Sequence, residues 1–338
     1  MTTQNLRFGL VGAGGIAQTY AQVFQDQGCG RIVGVADVRL EAARAVAEVL
    51  GCAAYNSAAQ LADSERLDAA IVCTPPASHP EICRLFVGRS AHVLCEKPLS
   101  IDAATAREMI AVARKSGRTL AMASKFRYAE DVVQAKSILM SRILGEPYAM
   151  RVTFRSPVDM SGRWNSDASV SGGGVLIDNG THAVDLVRYL VGPVQEVFAA
   201  EGRRLRSLPV EETVQVVCRT TDGLLATLDL SWSVPDVARD FVQIACSGGG
   251  LRMGWKESGH RRLPTAEWVR FGRGYSKLKA IRRQVENFAR AVAAEERLLI
   301  SEEDALASAE VIAAAYRSLS SGRWEAVGGG ATARQAAA

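Results

Sequence analysis

Asp178 and His182, in the run GGGVLIDNGTHAVDLVRYL, stand four residues apart. On a helix that spacing sets two side chains on one face, so an acid and an imidazole would point together into whatever that face lines. Such a pair can take up a hydroxyl proton near neutral pH, the step that dehydrogenation of an alcohol requires. The three glycines at 172–174 and the amphipathic continuation through Val184, Leu186, Val187 and Leu190 read as the start of a helix leaning on a core. The spacing alone also fits surface decoration or a capped turn, so its meaning depends on what the rest of the chain builds.

The chain opens LRFGLVGAGGIAQTYAQVFQDQG, an apolar run of strand length, then glycines, then helical periodicity. Gly12, Gly14 and Ala17 fill the pattern G-x-G-x-x-G/A: the first glycine permits a tight turn, the second lets backbone amides approach a pyrophosphate, and the small third residue allows the helix to pack closely on the strand. Gly15 and Ile16 open the helix, whose N-terminus offers partial positive charge to phosphates. The next strand, RIVGVAD, ends in Asp37 about twenty residues beyond the loop, where a carboxylate accepts hydrogen bonds from the adenosine ribose hydroxyls. That charge repels a ribose phosphate and favours NAD; Arg39, two residues on, could instead hold the phosphate of NADP.

Alternation continues through ARAVAEVLG, AAY, LDAAIVCTPP, a helix opened by Ser78 with Pro80 in its first turn, AHVLCEKP, DAATAREMIAVARKSG and TLAMASKFRY. Strands alternating with helices imply βαβ units, and apolar strands imply a parallel sheet covered on both faces. Ligands of such sheets lie beyond the carboxyl ends of the strands. Thr74-Pro75-Pro76 and Glu96-Lys97-Pro98 fall at such ends, because proline does not continue a central strand; Lys97-Pro98 also offers a place for a cis peptide.

From residue 149 the texture changes. AMRVTFRSP, QEVFAAEGR, ETVQVVCRTTDGLLATLDLSWSV and DFVQIACSGGGLRM read as strands joined by glycine turns. Gly192-Pro193 stops the helix that carries His182. Two late helices follow, SKLKAIRRQVENFARAVAAEE and SEEDALASAEVIAAAYRSL, the second opened by a Ser-Glu-Glu-Asp cap; one of them is expected to return to the first domain. The predicted architecture is an α/β domain with a doubly wound parallel sheet at 1–125, an α+β domain with a large, mostly antiparallel open sheet at 126–327, and a low-complexity tail at 328–338.

CEKPLS at 95–100, preceded by GLVGAGGIA and CTPPASHPEI and followed by GGGVLIDNGTHAVDL, resembles the glucose-fructose oxidoreductase, inositol dehydrogenase and MocA family from about residue 6 to about residue 325. The resemblance implies a Rossmann domain holding NAD, with Lys97 beside substrate and nicotinamide, Asp178 and His182 as the paired acid and base, and dehydrogenase or reductase activity on polyols, sugars or nucleotide sugars. It also implies a homodimer or homotetramer formed through the C-terminal sheet. In this reading His182 takes the hydroxyl proton, Asp178 orients the imidazole or substrate, and Lys97 favours the developing charge on oxygen. Three other uses of the same parts are a lyase or glycosidase that recycles NAD, a ketoreductase using NADPH, and a dinucleotide sensor without catalysis.

Several residues carry two readings. Thr74, Pro75, Glu96 and His79 are candidates on the cofactor side, although His79 is better explained as first-turn helix or pocket-rim structure. Lys125-Phe126-Arg127-Tyr128 and Arg163-Trp164 offer guanidinium groups for acids and aromatic faces for sugar rings, with Arg127, Tyr128, Arg163 and Trp164 as substrate candidates; each also fits a solvated or packed surface. His92 and His260 have no partner pattern. In 338 residues the net charge of +4 leaves no basic stripe, so nucleic acid is not implied. Seven cysteines without a CxxC motif or histidine cluster point to a reducing, cytoplasmic setting and no structural zinc. No apolar run reaches membrane-spanning length.

Overall fold

The computed structural model describes residues 3–25, 28–265 and 267–329; the expected tail lies outside them from residue 330 on. The described residues form two compact units, one of residues up to 128 with 276–306 and one of residues 129–275 with those from 307 on.

In the first unit, strands β1 (Arg7–Val11), β2 (Arg31–Ala36), β3 (Ala53–Tyr55), β4 (Ala69–Val72), β5 (His92–Glu96) and β6 (Leu120–Ala123) alternate with helices α1 (Gly15–Gln25), α2 (Leu40–Leu50), α3 (Ala58–Ser64), α4 (His79–Gly88) and α5 (Ala103–Lys115). The strands pair in parallel in the order β3-β2-β1-β4-β5-β6. β4 and β6 are buried at every position, which is why they read as unbroken apolar runs. The order reverses between β1 and β4, and the loops after these strands border the crevice that such a reversal opens.

The second unit begins with α6 (Glu130–Met140) and β7 (Pro147–Arg155), followed by the short α7 (Ala168–Ser171) and the long α8 (Val175–Val191). Strands β8 (Val194–Glu201), β9 (Thr213–Thr220), β10 (Leu225–Ser231), β11 (Asp240–Cys246), β12 (Gly249–Gly254), β13 (Ser258–Arg262) and β14 (Val269–Gly272) complete its sheet with β15 (Glu325–Ala326). The order is β14-β13-β12-β11-β7-β10-β9-β8-β15, antiparallel throughout except for the parallel pair β7 and β10. Period-two alternation turns Val152, Val214, Val216, Leu228 and Leu230 to the buried face, on which α8 packs. β13 and β14 were not anticipated: SGHRR and VRFG lack the apolar alternation that marks a strand.

Helix α9 (Lys277–Val292) belongs to the first unit. Ile281, Val285, Phe288 and Ala289, at helical-stripe spacing, are fully buried in one apolar cluster with Phe8, Leu10 and Phe24. The last long helix, α10 (Glu302–Ser321), opens with the expected cap: Asp304 N–H donates to Ser301 Oγ at 3.1 Å and Ser301 N–H to Asp304 Oδ2 at 3.1 Å. No helix among the described residues is long and apolar enough to cross a membrane.

Glu212, its side chain 1% exposed, ties the loop after β8 to the end of β10 in the second unit. It accepts from the Arg206 N–H (2.8 Å) and Nε (2.9 Å), from the Leu205 N–H and from the Ser233 hydroxyl. Burial opposes its ionisation, but these donors outweigh burial and hold its pKa down at about 2. A depressed carboxylate stabilises the fold above its unfolded pKa of about 4.3 and loses that contribution as pH falls toward 2. Glu212→Gln should therefore cost about 2–4 kcal/mol in denaturant unfolding at pH 7, and the gap from wild type should shrink by pH 3. A gap independent of pH would assign the loss to packing.

Candidate active site

The loop after β1 is built for a close phosphate approach. Gly12 has φ +91°, and a Cβ there would lie 2.8–2.9 Å from the backbone of Cys73 and Thr74, so a side chain is excluded on both counts. A Cβ on Gly14 would meet no atom within 4 Å. The loop is thus tight toward the protein and open on the face where α1 presents its first-turn amides, those of Gly15, Ile16 and Ala17, which have no partner within the helix. Ala17 is fully buried, as close packing on β1 requires.

At the end of β2, Asp37 Oδ2 accepts from the Ala13 N–H at 2.7 Å and Oδ1 from the Arg39 N–H at 2.8 Å. The acid therefore also pins the glycine loop, while each oxygen keeps a second lone pair for a ribose hydroxyl. Arg39 Nε lies 3.7 Å from Asp37 Oδ1, and its side chain is 74% exposed. An open glycine cradle, a helix N-terminus and a fixed acid fit NAD.

The loops after β4 and β5 are held by buried polar contacts. His79 is fully buried, with Nδ1 2.9 Å from the Pro98 carbonyl oxygen and Nε2 2.8 Å from that of Thr74. It joins the two loops, a structural task of the kind its place in the first turn suggested, and burial holds its pKa below the usual histidine value against the pull of the carbonyls. The Ser78 hydroxyl donates toward Thr74 Oγ1 and the Pro75 carbonyl, both at 2.8 Å, and makes no cap on α4. Glu96 also differs from expectation: its carboxylate turns inward, accepting from Tyr20 OH at 2.9 Å and from the Lys97 N–H at 3.2 Å. Gln284 Nε2 donates to the same Tyr20 oxygen at 2.9 Å, and burial together with Glu96 raises the Tyr20 pKa so that it stays a donor. Lys97 follows, itself half-buried, and its peptide to Pro98 is cis. Tyr20 and Gln284 carried no sequence signal, since nothing near either of them in the chain names Glu96 as a neighbour.

In the second unit α8 carries Asp178 in its first turn and His182 one turn later, the acid half-buried and the histidine 5% exposed. Arg163 and Trp164 lie on the loop before α7, both exposed. Arg127 and Tyr128 behave otherwise than substrate contacts: Arg127 is 3% exposed with Nη1 2.9 Å from Asp304 Oδ2, and Tyr128 OH donates to Asn287 Oδ1 at 2.9 Å, so both anchor their turn inside the first unit. The structure thus gathers the glycine loop, Asp37, Thr74, Pro75 and Lys97 in the first unit, and Asp178, His182, Arg163 and Trp164 in the second.

Because Asp37 pins the glycine loop and its charge would repel a ribose phosphate, wild-type protein should bind NAD at least ~10-fold more tightly than NADP, about 1.4 kcal/mol, and Asp37→Ala should weaken NAD while narrowing that preference. Calorimetric titration of both dinucleotides decides; equal affinity in wild type would give the choice to Arg39.

Comparison with known proteins agrees with this construction. Residues 6–124 match the GFO/IDH/MocA description of an oxidoreductase family with an NAD-binding Rossmann fold, and residues 132–252 match the GFO/IDH/MocA C-terminal domain. A myo-inositol 2-dehydrogenase of Thermotoga maritima is 29% identical over 233 residues, 67% of this chain and 68% of the relative. An inositol 2-dehydrogenase of Rhizobium meliloti is 25% identical over 338 residues, covering 94% of this chain and 98% of its own. A levoglucosan dehydrogenase solved with NADH and levoglucosan shares the fold, with TM-score 0.90 at 18% identity over 96% of this chain and 99% of that one. With an open glycine loop, a fixed acid at the end of β2 and matches across both units, this chain belongs to the GFO/IDH/MocA family of NAD-binding oxidoreductases.

Proposed function

We propose that this oxidoreductase oxidises a secondary alcohol on a sugar-like or cyclic polyol ring, or reduces the matching ketone. The observation that carries the reading is the acid and imidazole one turn apart on α8, in a chain whose first unit has a dinucleotide cradle and a lysine at the end of β5. The inositol dehydrogenases among its relatives support the substrate class. NAD, when bound, supplies the hydride acceptor. His182 takes the hydroxyl proton, for which a neutral imidazole is required. Asp178 hydrogen-bonds the imidazole or the substrate and stabilises the cation that proton transfer creates. Lys97 holds the reacting oxygen and favours its growing negative charge. Trp164 offers an aromatic face and Arg163 a guanidinium to the ring substituents.

The test is a screen of polyols, sugars, uronates and nucleotide sugars with NAD, read as NADH formation. On the best substrate, oxidation should rise with pH through one ionisation. Lys97→Ala should lower turnover ~10²-fold with NAD binding kept, and His182→Ala should abolish the pH limb and lower turnover by about 10²–10⁴-fold. Loss of a leaving group without net NADH would replace this reading by NAD-recycling elimination.

We also propose a cytoplasmic homo-oligomer. The seven cysteines are all free thiols, and the sheet of the second unit bears a polar groove of about 440 Å³ lined by Arg151, Thr153, Arg155, Thr227, Asp229 and Gln243, a surface with the hydrogen-bonding groups for a second copy. Sedimentation should show a dimer or tetramer that Thr153→Arg together with Thr227→Arg dissociates; a monomeric wild type rejects the assembly.

A further inference from the structure

Helix α8 begins without a side-chain cap of its own, because its N-cap is Gly174. The donors of its first turn are met by a residue from elsewhere in the same unit. Glu211 Oε1 accepts from the Gly174 N–H at 2.9 Å and the Leu176 N–H at 3.1 Å, and the Glu211 backbone carbonyl accepts from the Val175 N–H at 2.9 Å. Three consecutive amides thus converge on one residue. The Tyr316 hydroxyl of α10 donates to the same Oε1 at 2.8 Å. The fit leaves no room for a side chain: a Cβ on Gly174 would stand 2.0 Å from the Glu211 carbonyl oxygen, and one on Gly173 1.9 Å from the Tyr316 hydroxyl. Glu211 is 7% exposed, so solvent screens its interaction with the helix N-terminus only weakly.

We infer that Glu211, braced by Tyr316, is a positioning residue: it fixes the start of α8 and through it the placement of Asp178 and His182. The inference rests on the roles proposed for that pair. Asp178 is the acid of the first turn, and its N–H donates to the Gly174 carbonyl at 3.1 Å, so a displacement of Gly174 is passed directly to it. His182 lies one further turn along the same rigid rod. Reacting groups tolerate little displacement, since about 1 Å of misplacement costs on the order of 10²-fold in rate. The contacts ask for an acceptor oxygen at Oε1, which glutamine also supplies, so the conservative variant should restore what alanine removes.

The experiment compares Glu211→Ala, Glu211→Gln and Tyr316→Phe by amide hydrogen exchange and by steady-state kinetics. Glu211→Ala should lose protection at the Gly174 and Leu176 amides and lower kcat ~10-fold or more with the KM for NAD unchanged. Glu211→Gln should recover both to within about threefold, and Tyr316→Phe should fall between them. Normal kcat in Glu211→Ala, or equal damage in the alanine and glutamine variants, overturns the inference. If the alanine variant does not fold, the Tyr316→Phe and Glu211→Gln pair decides, with wild-type protection and kcat in Tyr316→Phe counting against it. The exchange readout does not depend on catalysis, so a wild-type protein with no dehydrogenase activity but the expected protection pattern would reject the roles of Asp178 and His182 while keeping the structural role of Glu211.

Discussion

A helix starts with amides that have no partner inside it, and how a protein meets them decides where the helix can sit. In α8 the local sequence supplies nothing, since three glycines precede Val175. The amides are met by Glu211, 37 residues away from Gly174, and the glycines are what allow its backbone and the Tyr316 ring to come so near. The placement of the acid and the imidazole is thus set by a contact outside their own helix. Most of the helix is buried on both sides of these two residues, from Val175 to Ile177 and from Ala183 to Val187, so the rod has little freedom to shift once its start is seated.

The first unit handles its chemistry by dividing labour between neighbours. At the end of β5, Glu96 turns in toward Tyr20 and Gln284, and Lys97 is left on the loop. At the end of β4, His79 bridges the Thr74 and Pro98 carbonyls. At the end of β2, Asp37 holds the Ala13 amide and the Arg39 amide. Each of these three strand ends thus has a polar group, buried at His79 and Glu96 and half-buried at Asp37, that fixes the loop, which is the support that preorganised electrostatics requires.

Much of this was legible in the sequence. The parallel sheet followed from apolar runs alternating with amphipathic helices, the glycine loop from its spacing, and α8 from a stripe that includes Val184 and Leu190. The Ser301 cap on α10 was read from four residues because capping is local. What escaped was long-range. Arg127 and Tyr128 looked like substrate contacts because nothing near them names Asp304 and Asn287 as partners. His79 and Glu96 sat in the correct loops, but whether a side chain turns outward or inward depends on groups such as Pro98 and Tyr20, which only the fold brings close. β14, at the sheet edge, and β13 beside it escaped because their sequences VRFG and SGHRR carry no apolar alternation.

The return of α9 to the first unit couples the order of synthesis to the order of folding. Ile281, Val285 and Phe288 are each fully buried against β1 and α1 residues made some 270 positions earlier. Burial of such side chains contributes about 1.5–3 kcal/mol apiece, a large part of the roughly 5–15 kcal/mol that holds a typical domain together. As the ribosome extends the chain, the nucleotide-binding unit therefore waits with an apolar face uncovered while the whole of residues 129–275 emerges. During that interval the uncovered apolar face is open to wrong association, and a message truncated anywhere before α9 leaves the core incomplete in the half that looks, from its sequence, already finished.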